Sequence, residues 1–289
     1  SILYSKNGDD RLEPASMAKL MTVTVVFTYL QQGKLKLDDE FFISEHAWRD
    51  GGANSGGSTM FAKLNDKIRV EDLLKGVIVQ SGNDAAIALA EGIAGTEQTF
   101  SKIENQLAKQ IGLTASHFVN ATGLPDPDQY STAHDLAILS RYIITTFPEY
   151  YPIFSMPEFT WNKIKQPNRN SLLEVGIGVD GLKTGHTEEA GYGEVVSAPN
   201  DGRRLIAVLH GLGSMRERAE EEIEGNARLI EGAIGKRPEL YRTPFGSHCP
   251  QLAEVHKKLG IKHTGWDIDP QDWKVLNTDK VRDYVTRWL

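Results

Sequence analysis

The run "LMTVTVVFTYL", Leu20 to Leu30, is the longest strongly apolar stretch of the chain and constrains its fold most. It is far short of the ~20 residues that span a bilayer. Helical periodicity extends from Ser16 to about Gln32, with Pro14 just ahead and Gly33 at the end. That pattern predicts a single helix with a proline start and a glycine stop. An apolar helix buries itself against the rest of the chain, so polar groups at its start are partly desolvated. Ser16 and Lys19 stand there, one helical turn apart.

The pairing has chemical consequences. A serine hydroxyl is a poor nucleophile at neutral pH and needs a base within hydrogen-bond reach. No plausible catalytic histidine stands beside Ser16, which leaves Lys19. A lysine at its ordinary pKa is protonated and accepts no proton. The first turn of a helix disfavours a cation there, and the apolar run adds desolvation. Taken alone, however, one S-x-x-K is expected by chance in a chain of this length.

Composition excludes some functions. The formal charge of −7 argues against a nucleic-acid binder, which needs a concentrated basic surface. The single cysteine, Cys249, allows no intrachain disulfide and fits either a reducing compartment or an exported protein. The opening "SILYSKNG" reads as the second half of a strand running into a turn. The expectation is that the natural N-terminus, with any export signal, is missing.

Further along, "RDGGANSGGST", Arg49 to Thr59, reads equally as a flexible connection or as a loop beside an active site. Helical patterns cover "VEDLLKGVIVQ", "SGNDAAIALAEGIAG", "TEQTFSKIENQLAKQIG" and "STAHDLAILSRYIITTF". "GEVVSAP" and "RRLIAVLHG" read as antiparallel strands joined by "NDG", and Ser214 to Ile234 as helix again. This order predicts an α/β fold, an antiparallel sheet with a helical subdomain inserted between its strands.

Three short elements then stand in order: "SMAK" (Ser16, Lys19), "SGN" (Ser81, Gly82, Asn83) and "KTG" (Lys183, Thr184, Gly185). Together they match the serine acyl-enzymes that include penicillin-binding proteins and class A β-lactamases. The stretches "EPASMAKLMT", "GGSTMFAKLNDKIRVEDLLKGVIVQSGNDAAIALAE", "FVNATGLPDPDQYSTAHDLAILSRYI" and "VDGLKTGHTEEAGY" closely resemble the D-alanyl-D-alanine carboxypeptidases. The resemblance covers about residues 1–221 and implies the penicillin-binding, β-lactamase-like serine transpeptidase fold. It implies an acyl-enzyme on Ser16, with Lys19 taking and returning the proton and Ser81 relaying one toward the departing D-alanine. Asn83 would hold the substrate amide, Lys183 would set the local potential, and Thr184 would help dock the terminal carboxylate. Lys183 across the cleft would also lower the pKa of Lys19 by like-charge repulsion. The backbone amides of Ser16 and His186 would form the oxyanion hole. Arg218 falls where the family places a carboxylate-recognising arginine. No metal or cofactor is implied. The substrate would be the peptidoglycan pentapeptide and the inhibitors β-lactams, on the outer face of a bacterial cytoplasmic membrane, with no membrane anchor encoded in this chain.

Bland readings stand beside these. Ser81 with Asp84 resembles a helix-capping box. Glu158 and Asn162, in "EFTWN", match the E-x-x-x-N of class A β-lactamases and are read as chance. A β-lactamase-related hydrolase and a wall-binding protein without turnover remain as alternatives.

From about Glu222 the carboxypeptidase resemblance stops. Residues 222–289 resemble the later part of a polysaccharide deacetylase, with "RTPFG" (Arg242 to Gly246) and "DPQDW" (Asp269 to Trp273) matching its arginine and aspartate–tryptophan motifs. The aspartate pair and H-x-x-x-H that such an enzyme needs are absent, and His248, His256 and His263 are scattered. The segment is expected to be a catalytically silent piece of a (β/α) barrel.

Overall fold

The computed structural model describes residues 2–174, 178–200 and 203–213, and two short strands further on. The chain divides into two compact units, Ser1–Glu221 and Glu222–Leu289.

In the first unit the apolar run forms helix α1, Lys19–Gln31, preceded by a 3-10 turn at Ala15–Ala18. Every residue from Lys19 to Phe27 is buried. A helix that is apolar all round has no face to give to water, so it becomes the centre of the core. Around it pack α3 (Val70–Val79), α4 (Asn83–Ala94), α5 (Glu97–Ile111) and α6 (Ala133–Thr146). The start signals are plain. Thr96 accepts from the Thr99 amide at 3.1 Å and Thr132 from the Asp135 amide at 3.0 Å, each satisfying a free donor of the first turn. Short strands β1 (Glu40–Phe42) and β2 (Lys67–Arg69) pair antiparallel, as do β3 (Glu158–Trp161) and β4 (Ile164–Pro167).

Strands β5 (Gly181–Thr187), β6 (Gly191–Asn200) and β7 (Arg203–Leu212) form an antiparallel sheet in that order. Its buried side, with Leu182 and Val195, joins the helical core. Strand β5 lies against the 3-10 turn that carries Ser16, which sets the two sides of a cleft. The architecture is the α/β arrangement expected, an antiparallel sheet with a helical subdomain, but among the described residues the helices precede the three strands of the sheet instead of separating them.

Three further expectations change. Residues 2–8 form no strand, and Ile2 and Leu3 are about two-thirds exposed, at 64% and 65%. A strand needs a neighbour for its amides, and the first such pairing here is a single bridge from Leu12 to Ser131. The glycine-rich loop is partly helical, because Ser44 caps a short helix α2 (Glu45–Asp50) that takes in Arg49 and Asp50. Ser16 precedes the α-helix proper, in the tighter 3-10 turn. The expected turn at Asn200 to Gly202 and helix at Ser214 to Ile234 lie wholly or partly outside the described residues.

In the second unit, β8 (Leu240–Tyr241) and β9 (Lys262–His263) pair in parallel.

Candidate active site

Ser16 stands between two constraints. Ala15 before it has φ +47°, a left-handed conformation that a side chain makes costly and that a surrounding structure must hold. Lys19, three residues on, opens α1 and is 1% exposed. Its Nζ lies 2.9 Å from Ser16 Oγ and 2.5 Å from the Thr122 carbonyl oxygen. Ser16 itself is only half-buried, so a substrate can reach its hydroxyl.

Burial lowers the Lys19 pKa well below the ordinary lysine value, and the charge of Lys183 lowers it further, against Asp84 and Glu97. A carbonyl only accepts, so one Nζ–H is directed at Thr122. A neutral amine then has its lone pair free for the Ser16 proton.

A second serine–lysine pair faces this site. Lys183 on β5 is 2% exposed and donates to Ser81 Oγ at 2.9 Å and to the Thr184 carbonyl at 3.1 Å. Burial, then the nearby Arg169 guanidinium, lowers its pKa to about 7. Ser81 has φ +60°, a second strained non-glycine residue.

The capping-box reading of Ser81 is corrected. The N-cap of α4 is Gly82, with no side-chain cap. The Asp84 carboxylate turns instead to the glycine-rich loop. It accepts from the Met60 amide (2.9 Å), the Ala62 amide (2.9 Å), the Thr59 hydroxyl (2.7 Å) and the Ala85 amide (3.0 Å). The Asn83 amide donates to the Ser58 carbonyl at 2.8 Å, and that of Asp84 to Gly51 at 3.1 Å. These bonds fasten the loop to the start of α4, so it lines the site rather than merely connecting helices.

Asn83 is 4% exposed, beside Gly57 of that loop. Thr184 is half-buried and His186 exposed, its ring 4.0 Å from that of Tyr192. Gly185 is where β5 touches the turn that carries Ser16. A Cβ there would stand 3.0 Å from the Pro14 carbonyl oxygen and 3.2 Å from Ala15 Cβ. Arg218 lies outside the described residues. Glu158 of the β-lactamase-like pattern is committed to an exposed ion pair with Lys165, 2.7 Å across the β3–β4 hairpin.

A family model described as D-alanyl-D-alanine carboxypeptidase matches residues 1–213. The chain belongs to the D-alanyl-D-alanine carboxypeptidase family. It is 46% identical over 222 residues to the D-alanyl-D-alanine carboxypeptidase DacC of Escherichia coli, which covers 76% of this chain and 56% of that protein. The chain thus spans little more than half the length of that relative. Among solved structures it is similar to penicillin-binding protein 5 of Haemophilus influenzae, with TM-score 0.75, 45% identity, and 81% of this chain and 67% of the other covered. It is also similar to penicillin-binding protein D2 of Listeria monocytogenes in its ampicillin-bound form, with TM-score 0.66, 31% identity, and 80% and 91% covered.

Several residues around the carboxypeptidase motifs carry no motif of their own. Asp84 follows "SGN" directly, and its signals were a charge on an otherwise apolar helix start and a capping-box spacing from Ser81. The Thr122 acceptor is a backbone atom, which no residue pattern marks. Glu97, whose Oε1 accepts from the Ala121 amide at 3.0 Å, and Glu104, 3.0 Å from the Thr22 hydroxyl, look like ordinary charges of an amphipathic helix. Among the described residues, no group of histidine, cysteine and carboxylate side chains could hold a metal.

Proposed function

We propose that this chain is a serine-type D-Ala-D-Ala carboxypeptidase that removes the terminal D-alanine of peptidoglycan stem peptides. The observation that carries the reading is the buried Lys19 amine held between the Ser16 hydroxyl and a carbonyl that can only accept.

Ser16 Oγ attacks the carbonyl carbon of the penultimate D-alanine while its proton passes to Lys19 Nζ. A general base so placed contributes about 10²–10⁴-fold. The oxyanion forms between the backbone amides of Ser16 and His186. The C–N bond then breaks, and the amine of the leaving D-alanine receives the proton by way of Ser81. Lys183, hydrogen-bonded to that hydroxyl, orients it and supplies positive potential. Asn83 holds the substrate amide, and Thr184 and Arg218 bind the terminal carboxylate. Water activated by Lys19 hydrolyses the ester, which frees the shortened peptide and returns the proton to Ser16.

A peptidoglycan substrate supports a site of action on the outer side of the bacterial cytoplasmic membrane. Ampicillin bound to the similar Listeria protein supports β-lactams as ligands here too. Residues 222–289 are proposed as a non-catalytic, polysaccharide-deacetylase-like segment. Its two described strands pair in parallel, the pairing that the strands of a (β/α) barrel have.

Intact mass after penicillin treatment tests the function. One acyl adduct is expected on the wild type, none on Ser16→Ala, and less after exposure to a diacyl-D-Ala-D-Ala peptide. A folded wild type that gains no mass leaves a wall-binding protein without turnover.

A further inference from the structure

Glu104 is an acidic side chain fully buried beside the helix that carries the base. It lies seven positions after Glu97 on α5, so the two carboxyls share one face two turns apart. Both are directed at Ala121, by different routes. Glu97 Oε1 accepts from the Ala121 amide at 3.0 Å. The Ala121 carbonyl lies 2.8 Å from Thr22 Oγ1, which in turn lies 3.0 Å from Glu104 Oε1. The next residue, Thr122, supplies the carbonyl that accepts from Lys19.

Counting protons decides the direction of this chain of bonds. The Thr22 hydroxyl has one hydrogen, and the Ala121 carbonyl can only accept. If Glu104 were a carboxylate, two acceptors would compete for that one hydrogen. Its other oxygen, Oε2, is buried without a hydrogen-bond partner among the described residues. A charge there would be costly, whereas a neutral acid leaves only a weak carbonyl acceptor unmet. Burial and the neighbouring Glu97 both raise the Glu104 pKa well above the ordinary carboxylate value, against the Thr22 bond.

We propose that Glu104 is a positioning residue for Lys19: as a neutral acid it donates to Thr22, which frees the Thr22 hydrogen for the Ala121 carbonyl and fixes the Thr122 carbonyl on the Lys19 amine. The role rests on the serine-hydrolase reading for its consequence, but not for its proton. Glu104 touches no reacting atom. It acts through two intervening residues on where the base stands.

The test is acylation by a fluorescent penicillin, resolved into limiting rate and half-saturating concentration and followed against pH. Glu104→Gln offers an N–H in place of the O–H. It is expected to keep the limiting rate within about twofold and the acid limb of the profile unmoved. Glu104→Leu removes the donor. It is expected to cut the limiting rate about tenfold with little change in half-saturation. Thr22→Val is expected to cost at least as much, and the double variant no more than Thr22→Val alone, because both break one chain of bonds. Infrared spectroscopy of the unlabelled protein at pH 7 should show the carbonyl band of a protonated acid, missing from Glu104→Gln.

Four results overturn the proposal: absence of that band, an acid limb moved to lower pH in Glu104→Gln, additive losses in the double variant, or a Glu104→Leu that melts lower yet acylates normally. A wild type that takes no label fails the functional reading alone, and the infrared band then still decides the state of Glu104.

Discussion

Ser16–Lys19 and Ser81–Lys183 are two versions of one arrangement, a buried lysine amine 2.9 Å from a serine hydroxyl. They are built differently. The first pair spans three residues and is made by one turn of chain, while the second joins residues 102 apart, on a loop and a strand. In the first, the amine also meets a distant carbonyl at Thr122; in the second, it meets the carbonyl of its own neighbour, Thr184. A local pair has its reach guaranteed by helix geometry, and tertiary structure needs only to tune its charge. A distant pair needs tertiary structure to exist at all. Their fields are also coupled, because the Lys183 charge is the second cause, after burial, of the lowered Lys19 pKa.

The variants that break this comparison are ranked by expected effect. Lys19→Met removes the base proposed for the local pair, and the penicillin acylation rate should fall by at least ~10³, since losing one member of a nucleophile–base unit costs nearly as much as losing the unit. A variant that acylates within tenfold of wild type would transfer the role of base to the Ser81–Lys183 pair. Gly123→Ala acts on the third partner of the local pair. Gly123 has φ +81° and its Cβ would run into the Ala15 carbonyl, so the Thr122–Leu124 turn must move off the nucleophile. A loss of ~10² in acylation is expected, as follows from misplacing a reacting group by about 1 Å.

Lys183→Met sharpens the coupling. Removing a cation lets the Lys19 pKa rise, so the acid limb of the acylation profile should move to higher pH, with a rate loss of about tenfold from Ser81. It should also flatten the pH dependence of stability. The folded Lys183 pKa of about 7 lies below the ordinary value near 10.4, so between these the unfolded chain holds the extra proton. Wild-type stability therefore rises with pH over that window, and Lys183 costs most below pH 7. Urea denaturation at a series of pH values should show a shallower rise in the variant; an equal slope would mean that Lys183 is not depressed. Arg169→Ala is the smallest change. It removes a cation that lowers the Lys183 pKa, so that pKa should rise, and the acylation rate should change by less than about threefold.

Much of the candidate site was legible in the sequence. The three motifs gave Ser16, Lys19, Ser81, Asn83 and Lys183, and the structure gathers all five around one cleft. The helices with polar caps were readable for a local reason: Thr96 and Thr132 mark their own first turns. The opening strand was misread because "SILY" has strand composition but lacks a pairing neighbour. The capping box weighed beside the relay role of Ser81 has the right spacing, but Asp84 is claimed by four donors, three of them more than twenty residues away in the chain.

What the sequence by itself determined is whatever depends on neighbours along the chain: the central apolar helix, its glycine stop, and a serine one turn ahead of the lysine that opens it. Only the tertiary structure decided how completely the titrating groups are buried, and for Glu104 even the direction in which its pKa moves. Lys19 and Glu104 are charged in any sequence count, yet both are buried where desolvation opposes charge. A side chain's charge depends on the water and partners that surround it in three dimensions, and those are contributed by residues far away in the chain.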